Sequence, residues 1–396
     1  MKFRPTRPLA AHKIKVKPCY ALSSTALVLV DMLWLPDDSS SHLDRLFSMP
    51  TFDSRQIHTI AERVLTAAGV SSADAEVVAI ELRDANLVGH DSHGVIRLMQ
   101  YVDQMEKGFI KPDGEFSVLR DEPSLAVVDG GFHFGQVVAT KALEIGLIKA
   151  RETGSATVVA RNCNHVGRLG SYADTAARAG FCSMMCVNAP GPGGTAPFGG
   201  IERRLGTNPI AMSAPRGDVP IVLDMTTSAT AEGKIRVALQ KGEQLAEGLI
   251  IDCEGRPSCN PADLYGPPAG AILPLGGAMG FKGFGLSVMI DVFGGILSGS
   301  GIARTDLPPG ANGLWMYFVD VERFLPRGEF DAQIKKYADY IKSAKRVPGC
   351  DEILLPGEIE LRRRQVREQE GIPIPDGTWK LISELAAKLG VSLENL

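Results

Sequence analysis

The chain has 396 residues, 44% hydrophobic and 22% charged, with a net charge of −4. That is a globular composition, long enough for about two or three domains. It has no basic surplus for nucleic acid and no acidic tail. The 43 glycines and 25 prolines are spread among apolar runs, which reads as many tight turns rather than disorder.

Residues 1–48 differ from the rest. Lys2, Arg4, Arg7, Lys13, Lys15 and Lys17 precede the first acidic residue, Asp31, which interrupts the apolar run ALVLVDMLWL. A targeting segment, a disordered tail and translation upstream of a native start at Met49 all fit such a stretch. The last is favoured. An ordinary helical domain begins at Thr51, and no A-x-A-like cleavage site follows the apolar run.

Residues 54–89 read as two helices, with Ser54 as the first N-cap, Gly69 as the break and Ser71 or Ser72 as the second cap. A turn is expected at KPDG (111–114). Strands are expected at 124–130, 156–162 and 181–188, with helices at 134–154 and 167–180 between them, an α/β alternation. NPIAMSAP (208–215) and VPIVLDM (219–225) read as two buried strands joined at Arg216-Gly217-Asp218, so the sheet is expected to be mixed. FGLSVMIDVFGGILSG (284–299) is too short for a membrane span and carries Asp291, so it reads as a buried core helix. The C-terminal part reads as three helices.

The seven cysteines are Cys19, Cys163, Cys182, Cys186, Cys253, Cys259 and Cys350. Their odd number and the lack of a C-x-x-C indicate reduced, mostly buried thiols and a cytoplasmic protein. Cys163 reads as a packing residue.

All seven histidines precede residue 166. His12 and His42 fall in the doubtful extension, His58 on a helix surface and His133 in a turn. His90, His93 and His165 remain as candidates for acid–base work. In GHDSHGVIRLMQY (89–101), His93, Arg97 and Tyr101 are spaced by four, which on a helix places them near one face. An imidazole, a guanidinium and a phenol together suit a small substrate with a carboxylate. His165 is expected at a strand end, a common place for ligand contacts in α/β folds. A metal on His90-x-x-His93 with Asp91 lacks the H-E-x-x-H pattern and any cysteine pair of zinc spacing. A serine hydrolase at Ser92 lacks the G-x-S-x-G elbow. GPGGTAPFGG and PLGGAMGFKGFG are not G-x-G-x-x-G, which argues against a Rossmann fold. Their glycines and Lys282 still suit either phosphate contact or loop packing.

HDSHGVIRL, NCNHVGRLG, LGTNPIAMSAP, IVLDMTTSATAEGKI, LPLGGAMGFKGFGL and LLPGEIELRRR occur in this order. Together they resemble the type-2 malate/L-lactate dehydrogenase family, from about residue 51 to the C-terminus. The resemblance implies an α/β fold with a non-Rossmann NAD(P)-binding domain, whose mixed sheet is largely antiparallel, plus a helical domain from the N- and C-terminal parts. The expected division is 1–48 as an extension, 49–120 with 300–396 as the helix-rich domain, and 121–299 as the cofactor-binding domain.

The resemblance also implies roles. His93, His165 and Asp224 are the expected catalytic residues, and Ser92, Arg97 and Tyr101 the substrate contacts. His165, Asn188, Asp224, Met225, Thr226, Lys282, Gly283, Pro356, Gly357 and Glu358 are the expected cofactor contacts. NAD or NADP is the cofactor, a homodimer is expected, and no metal is implied. The reaction would move a hydride between the nicotinamide and a 2-hydroxy/2-oxo acid, with a histidine of pKa near working pH moving the proton. A cyclic imino acid reductase and a non-catalytic scaffold of the same fold are the alternatives. Many members have N-S-P where this chain has Asn188-Ala189-Pro190, so a serine contact to the cofactor is missing.

Overall fold

A computed structural model describes residues 49–188, 193–304 and 312–394. The extension over 1–48 and the Ala189 departure lie outside these residues. Met49–Arg346 and Asp351–Leu396 belong to one unit.

A short strand, β1 (Thr51–Phe52), precedes helices α1 (Ser54–Ala67) and α2 (Ser72–Leu87). Asp53, not Ser54, caps α1. Its carboxylate accepts from the amides of Arg55 and Gln56, and the Gln56 side chain accepts from the Asp53 amide at 2.8 Å. This reciprocal box satisfies more orphan amides than a single hydroxyl can, so the cap sits one residue earlier. Ser71 caps α2, as expected. Gly69, at φ +96°, follows the end of α1 in the left-handed conformation that favours glycine. A third helix, α3 (Arg97–Glu106), completes the first part.

The main sheet has seven strands in the order β2–β3–β4–β11–β5–β6–β7. They are β2 (Ser117–Glu122), β3 (Leu125–Asp129), β4 (Ser155–Cys163), β5 (Phe181–Asn188), β6 (Ile210–Ala214), β7 (Ile221–Met225) and β11 (Asn312–Asp320). One neighbouring pair, β3 and β4, is parallel, joined through helix α4 (Gly135–Thr153). The others are antiparallel, including the expected β6–β7 hairpin. The sheet is thus mixed and largely antiparallel. Helix α5 (Leu169–Arg178) links β4 to β5, which flank β11 and both run antiparallel to it.

Strand β11 lies within the stretch expected as part of the helix-rich domain (300–396), but it belongs to the main sheet. Its Leu314, Met316 and Phe318 are fully buried in the sheet core. That alternation has the strand period of two, not 3.6. Helix α4 lies close against it because residue 146 is glycine: a Cβ there would sit 2.2 Å from the Phe318 ring.

An insertion after β7 holds α6 (Glu232–Lys241), α7 (Ala262–Tyr265) and the small strands β8 (Ile250–Ile251), β9 (Pro257–Ser258) and β10 (Ala271–Ile272). Helix α8 (Phe281–Ile290) runs on as a π-turn over Asp291–Ile296. The expected buried helix is only half-buried. Ser287 and Ile290 face inward, while Ile296 and Leu297 are 61% and 56% exposed. Gly313 lets the turn sit directly on the sheet, since a Cβ there would fall 2.0 Å from the Gly294 carbonyl oxygen. Among the described residues, no helix is long and apolar enough to cross a membrane.

Helices α9 (Arg327–Lys342), α10 (Glu358–Glu370) and α11 (Asp376–Lys388) match the expected C-terminal helices. The last strand, β12 (Ile372–Pro373), pairs with β1. A second core then joins both ends of the unit: Ile57, Leu82, Leu98 and Tyr101 pack with Ile372 and Ile382.

Candidate active site

The motif around His93 is not one helix. Gly89 is left-handed at φ +81°, Asp91–His93 form a single 3-10 turn, and α3 begins at Arg97. The expected stripe is corrected accordingly: only Arg97 and Tyr101 share a helix. Gly94, extended at φ −86° and ψ −156°, separates His93 from them.

Long-range contacts fix this turn. Asn86, buried near the end of α2, donates to Asp91 Oδ1 at 2.7 Å and accepts from the Val95 amide at 2.9 Å. Arg367 on α10 donates to Asp91 Oδ1 and Oδ2 at 2.7 and 3.0 Å, a two-point charge-assisted contact. His90 pairs with Glu360 at 3.3 Å. His90 and His93 therefore turn to different partners.

Three expected residues converge. Tyr101 Oη lies 2.8 Å from His165 Nδ1, and His165 Nε2 lies 3.2 Å from His93 Nδ1. The two imidazoles are stacked, with centroids 5.1 Å apart and planes 8° apart. A fourth residue was not legible in the sequence: Gln136, fully buried in the first turn of α4, donates from Nε2 to Tyr101 Oη at 2.6 Å.

Burial lowers the His93 pKa to about 3, assisted by the positive charge of Arg97. It also holds His165 well below the usual histidine range, again with help from Arg97. Both are neutral at neutral pH, which corrects the expectation of a histidine titrating near working pH. Burial pushes Tyr101 up to about 12, against the opposing pull of Arg97 and Gln136.

Arg97 donates from Nε to the Ser92 carbonyl at 2.6 Å and from Nη1 to Gln100 at 2.5 Å. Its own turn thus holds the guanidinium, and Nη2 with the second Nη1 hydrogen stays available for a carboxylate. Ser92 contributes its backbone here.

Glu81 on α2 accepts from Ser171 Oγ at 2.9 Å, and its Oε2 is sealed from solvent with no partner among the described residues. Burial raises its pKa to about 7, opposed by Ser171 and Arg168. Cys163 is fully buried and burial pushes its thiol up, as a packing role requires.

A cleft of about 400 Å³ has Arg168, Gly170, Asp224, Gly357, Glu360 and Arg364 in its wall. Asp224 accepts from the Gly170 amide at 2.8 Å. Only glycine fits there, since a Cβ would lie 2.5 Å from Arg168 Nη1 and 2.7 Å from Asp224 Oδ2. Arg168 is buried, and its Nε has no partner among the described residues.

The other expected cofactor residues do not gather at this cleft. Asn188 is fully buried, with its amide spent on Asp291, the Gly301 carbonyl and the Gly313 amide. Glu358 is held by Arg216 at 2.8 Å and Lys342 at 2.7 Å. The Pro356 carbonyl accepts from the Val222 amide. Met225 packs against the cluster of Cys186, Ile210 and Ile290, and Thr226 Oγ1 donates to the Ser228 carbonyl at 3.3 Å. Lys282 is exposed in the first turn of α8, and Gly283 lies tight against Leu275.

The malate/L-lactate dehydrogenase family model matches residues 52–383. The malate dehydrogenase of Pyrococcus horikoshii is 40% identical over 337 residues, covering 83% of this chain and 92% of that one. Hydroxycarboxylate dehydrogenase B of Escherichia coli K12 is 35% identical, covering 87% and 96%. Among solved structures, the sulfolactate dehydrogenase of Methanocaldococcus jannaschii superposes with a TM-score of 0.80 at 33% identity, covering 87% and 99%. The delta1-piperideine-2-carboxylate reductase of Pseudomonas syringae gives 0.74 at 26%, covering 85% and 100%. The paired histidines, the tyrosine and the arginine thus stand in a chain that belongs to the malate/L-lactate dehydrogenase family and is an oxidoreductase of that kind.

Proposed function

We propose that this protein is a nicotinamide-dependent dehydrogenase that interconverts a small 2-oxo acid and its 2-hydroxy acid. The observation that carries this reading is the hydrogen-bonded row from Tyr101 through His165 to His93, with Arg97 at its side. His93 Nε2 is engaged by none of the described residues, and Arg97 keeps two donors for a carboxylate.

The cleft fits a dinucleotide in its chemistry. Arg168, with its unpartnered Nε, suits phosphate, and the Asp224 carboxylate suits a ribose diol. Gly170 and Gly357 let the backbone approach closely. NAD and NADP both remain within this reading. Held in this cleft, a reduced nicotinamide would supply the hydride for the carbonyl carbon. The chain's own task is to hold the carboxylate on Arg97 and deliver a proton from His93 to the new alkoxide. Proton transfer of this kind is worth roughly 10²–10⁴ in rate. A cyclic imino acid presents the same carboxylate beside a C=N carbon, so it belongs in the assay.

A cytoplasmic location accords with the reduced thiols of Cys163, Cys182, Cys186, Cys253 and Cys259. The exposed apolar face around Ile296 and Leu297 supports a homodimer that covers it.

The test is loss of reduced-nicotinamide absorbance, with NADH and NADPH in parallel. The panel holds oxaloacetate, pyruvate, 2-oxoglutarate, sulfopyruvate and a cyclic imino acid. Turnover of a 2-oxo acid is expected. Turnover of the imino acid alone would replace this reading with the reductase, and no turnover in either direction would sink both.

A further inference from the structure

Both histidines in the row are neutral, so each carries one N–H and one bare nitrogen. Such a row has two possible directions. In one, every proton points toward the substrate and His93 presents Nε2–H. In the other, every proton points away and His93 presents a bare Nε2. The row itself does not choose between them. The residue at its far end does.

That residue is Gln136. Gln136 turns Nε2 to Tyr101 Oη at 2.6 Å and leaves Oε1 buried without a partner among the described residues; in this orientation the amide donates, and the phenol hydrogen is directed to His165 Nδ1, at 2.8 Å. With Nδ1 accepting, the neutral His165 carries its hydrogen on Nε2 and donates to His93 Nδ1 at 3.2 Å. His93 must then carry its hydrogen on Nε2. The backbone places Gln136 for this. Gly135 lets the start of α4 sit on the strand end that bears His165, since a Cβ there would lie 2.1 Å from the Asn164 carbonyl oxygen.

We propose that Gln136 is a positioning residue that sets the direction of the Tyr101–His165–His93 row, so that His93 faces the substrate as a proton donor. The inference deepens the dehydrogenase reading and rests on it for its catalytic meaning.

The step balances. As the carbonyl becomes an alkoxide, His93 gives its Nε2 proton to that oxygen. His93 Nδ1 takes the His165 Nε2 proton, and His165 Nδ1 takes the Tyr101 proton. Both imidazoles end neutral with inverted tautomers, and the missing proton resides at Tyr101 as a phenolate. The Gln136 N–H and the charge of Arg97 both stabilise that phenolate. Tyr101 is sealed in the core, so once the product leaves, a solvent proton taken up at His93 Nε2 returns through His165 to the phenolate, and one proton is consumed per carbonyl reduced. Run backwards, the same row accepts the hydroxyl proton in the oxidation.

The experiment reads tautomers directly. Long-range proton–nitrogen spectra of the full chain, labelled at histidine, are recorded near pH 7.5 without substrate, for the wild type, Gln136→Glu and Gln136→Met. In the wild type, both His93 and His165 are expected as Nε2–H tautomers. The introduced carboxylate would accept from the phenol instead of donating, so in Gln136→Glu both histidines should switch to Nδ1–H. Gln136→Met has similar length and no donor, so the preference should be lost and mixed tautomers result. It also covers the case in which the glutamate variant does not fold, and thermal melts identify that case. In steady state, Gln136→Glu should lower kcat for carbonyl reduction at least about tenfold, while KM for the 2-oxo acid holds because Arg97 is untouched.

Unchanged Nε2–H tautomers in a folded variant would overturn the proposal even if the enzyme is active. Inverted tautomers in a protein that reduces no 2-oxo acid would keep the positioning role and overturn the dehydrogenase reading instead.

Discussion

His93 Nδ1 and His165 Nε2 face each other at 3.2 Å across stacked rings, and the order of the row makes His93 its outer member. His93→Ala removes the group that meets the substrate, so kcat should fall by roughly 10²–10⁴. Cofactor affinity, read by calorimetry, should persist. His165→Ala breaks the relay but leaves an imidazole at His93, so its loss should be smaller. The reverse ranking would move the terminal role to His165.

Arg97 serves its own turn as well as the substrate, through Ser92 and Gln100. Lysine keeps the charge but cannot make two planar contacts while holding the Ser92 carbonyl. Arg97→Lys should raise KM for the 2-oxo acid roughly 10- to 100-fold, the worth of about 1.5–3 kcal/mol for hydrogen bonds to a charged group. An unchanged KM would take the carboxylate away from Arg97.

Glu81 makes stability depend on pH. Burial raises its pKa from 4.5 to about 7. Between those values the folded state keeps a proton that the unfolded chain has released. Stability from this group is therefore full below pH 4.5, is lost as pH rises toward 7, and stays lost above it. Glu81→Gln keeps an acceptor for Ser171 and never ionises. It should match the wild type near pH 4 and exceed it by about 1–3 kcal/mol at pH 8. Parallel urea melts at the two pH values decide this, and a difference that does not grow with pH would contradict it.

Gly94 is a glycine for room, since its φ of −86° is open to any residue. A Cβ there would lie 2.2 Å from Asn86 Oδ1, an atom already held by the Val95 amide. Gly94→Ala should cost about 1–3 kcal/mol, as overpacking does. It should also lower kcat, because the displaced turn carries His93. Wild-type melting and turnover together would show that Asn86 can give way.

The apolar face at Ile296 and Leu297 gives a test of assembly. Ile296→Glu places a charge where a homodimer would bury a side chain. Light scattering should show mass near twice that of one chain for the wild type and near one chain for the variant. A wild-type monomer at micromolar concentration would discard the dimer.

The parts of this protein that were legible in its sequence are those set by near neighbours. The strand at 181–188, the β6–β7 hairpin and the left-handed stop at Gly154 all follow from local period and turn chemistry. The family resemblance implied one site for His93, Tyr101 and His165, but neither their hydrogen-bonded row nor the break at Gly94. What stayed hidden depends on distant partners. Gln136 meets Tyr101 from 35 residues away, and Arg367 reaches Asp91 from 276. No window of sequence holds both members of such a pair. Strand β11 was missed because a nine-residue apolar stretch among helices says little until its two neighbouring strands claim it. Asn188 shows the opposite limit: its motif suggested a ligand contact, and the fold spends its amide internally.

The Asp91–Arg367 pair also sets an order of events. At roughly 5–20 residues per second, the 276 residues between them take about 14–55 s to synthesise. The helices around the first core can pack during that time, but the turn bearing His93 lacks its arginine clamp until α10 arrives. Non-local contacts of this separation form late because the chain must first close a long loop. A refolding protein should therefore recover its helical signal first and its turnover last. The final gain is not more structure but the seating of one turn.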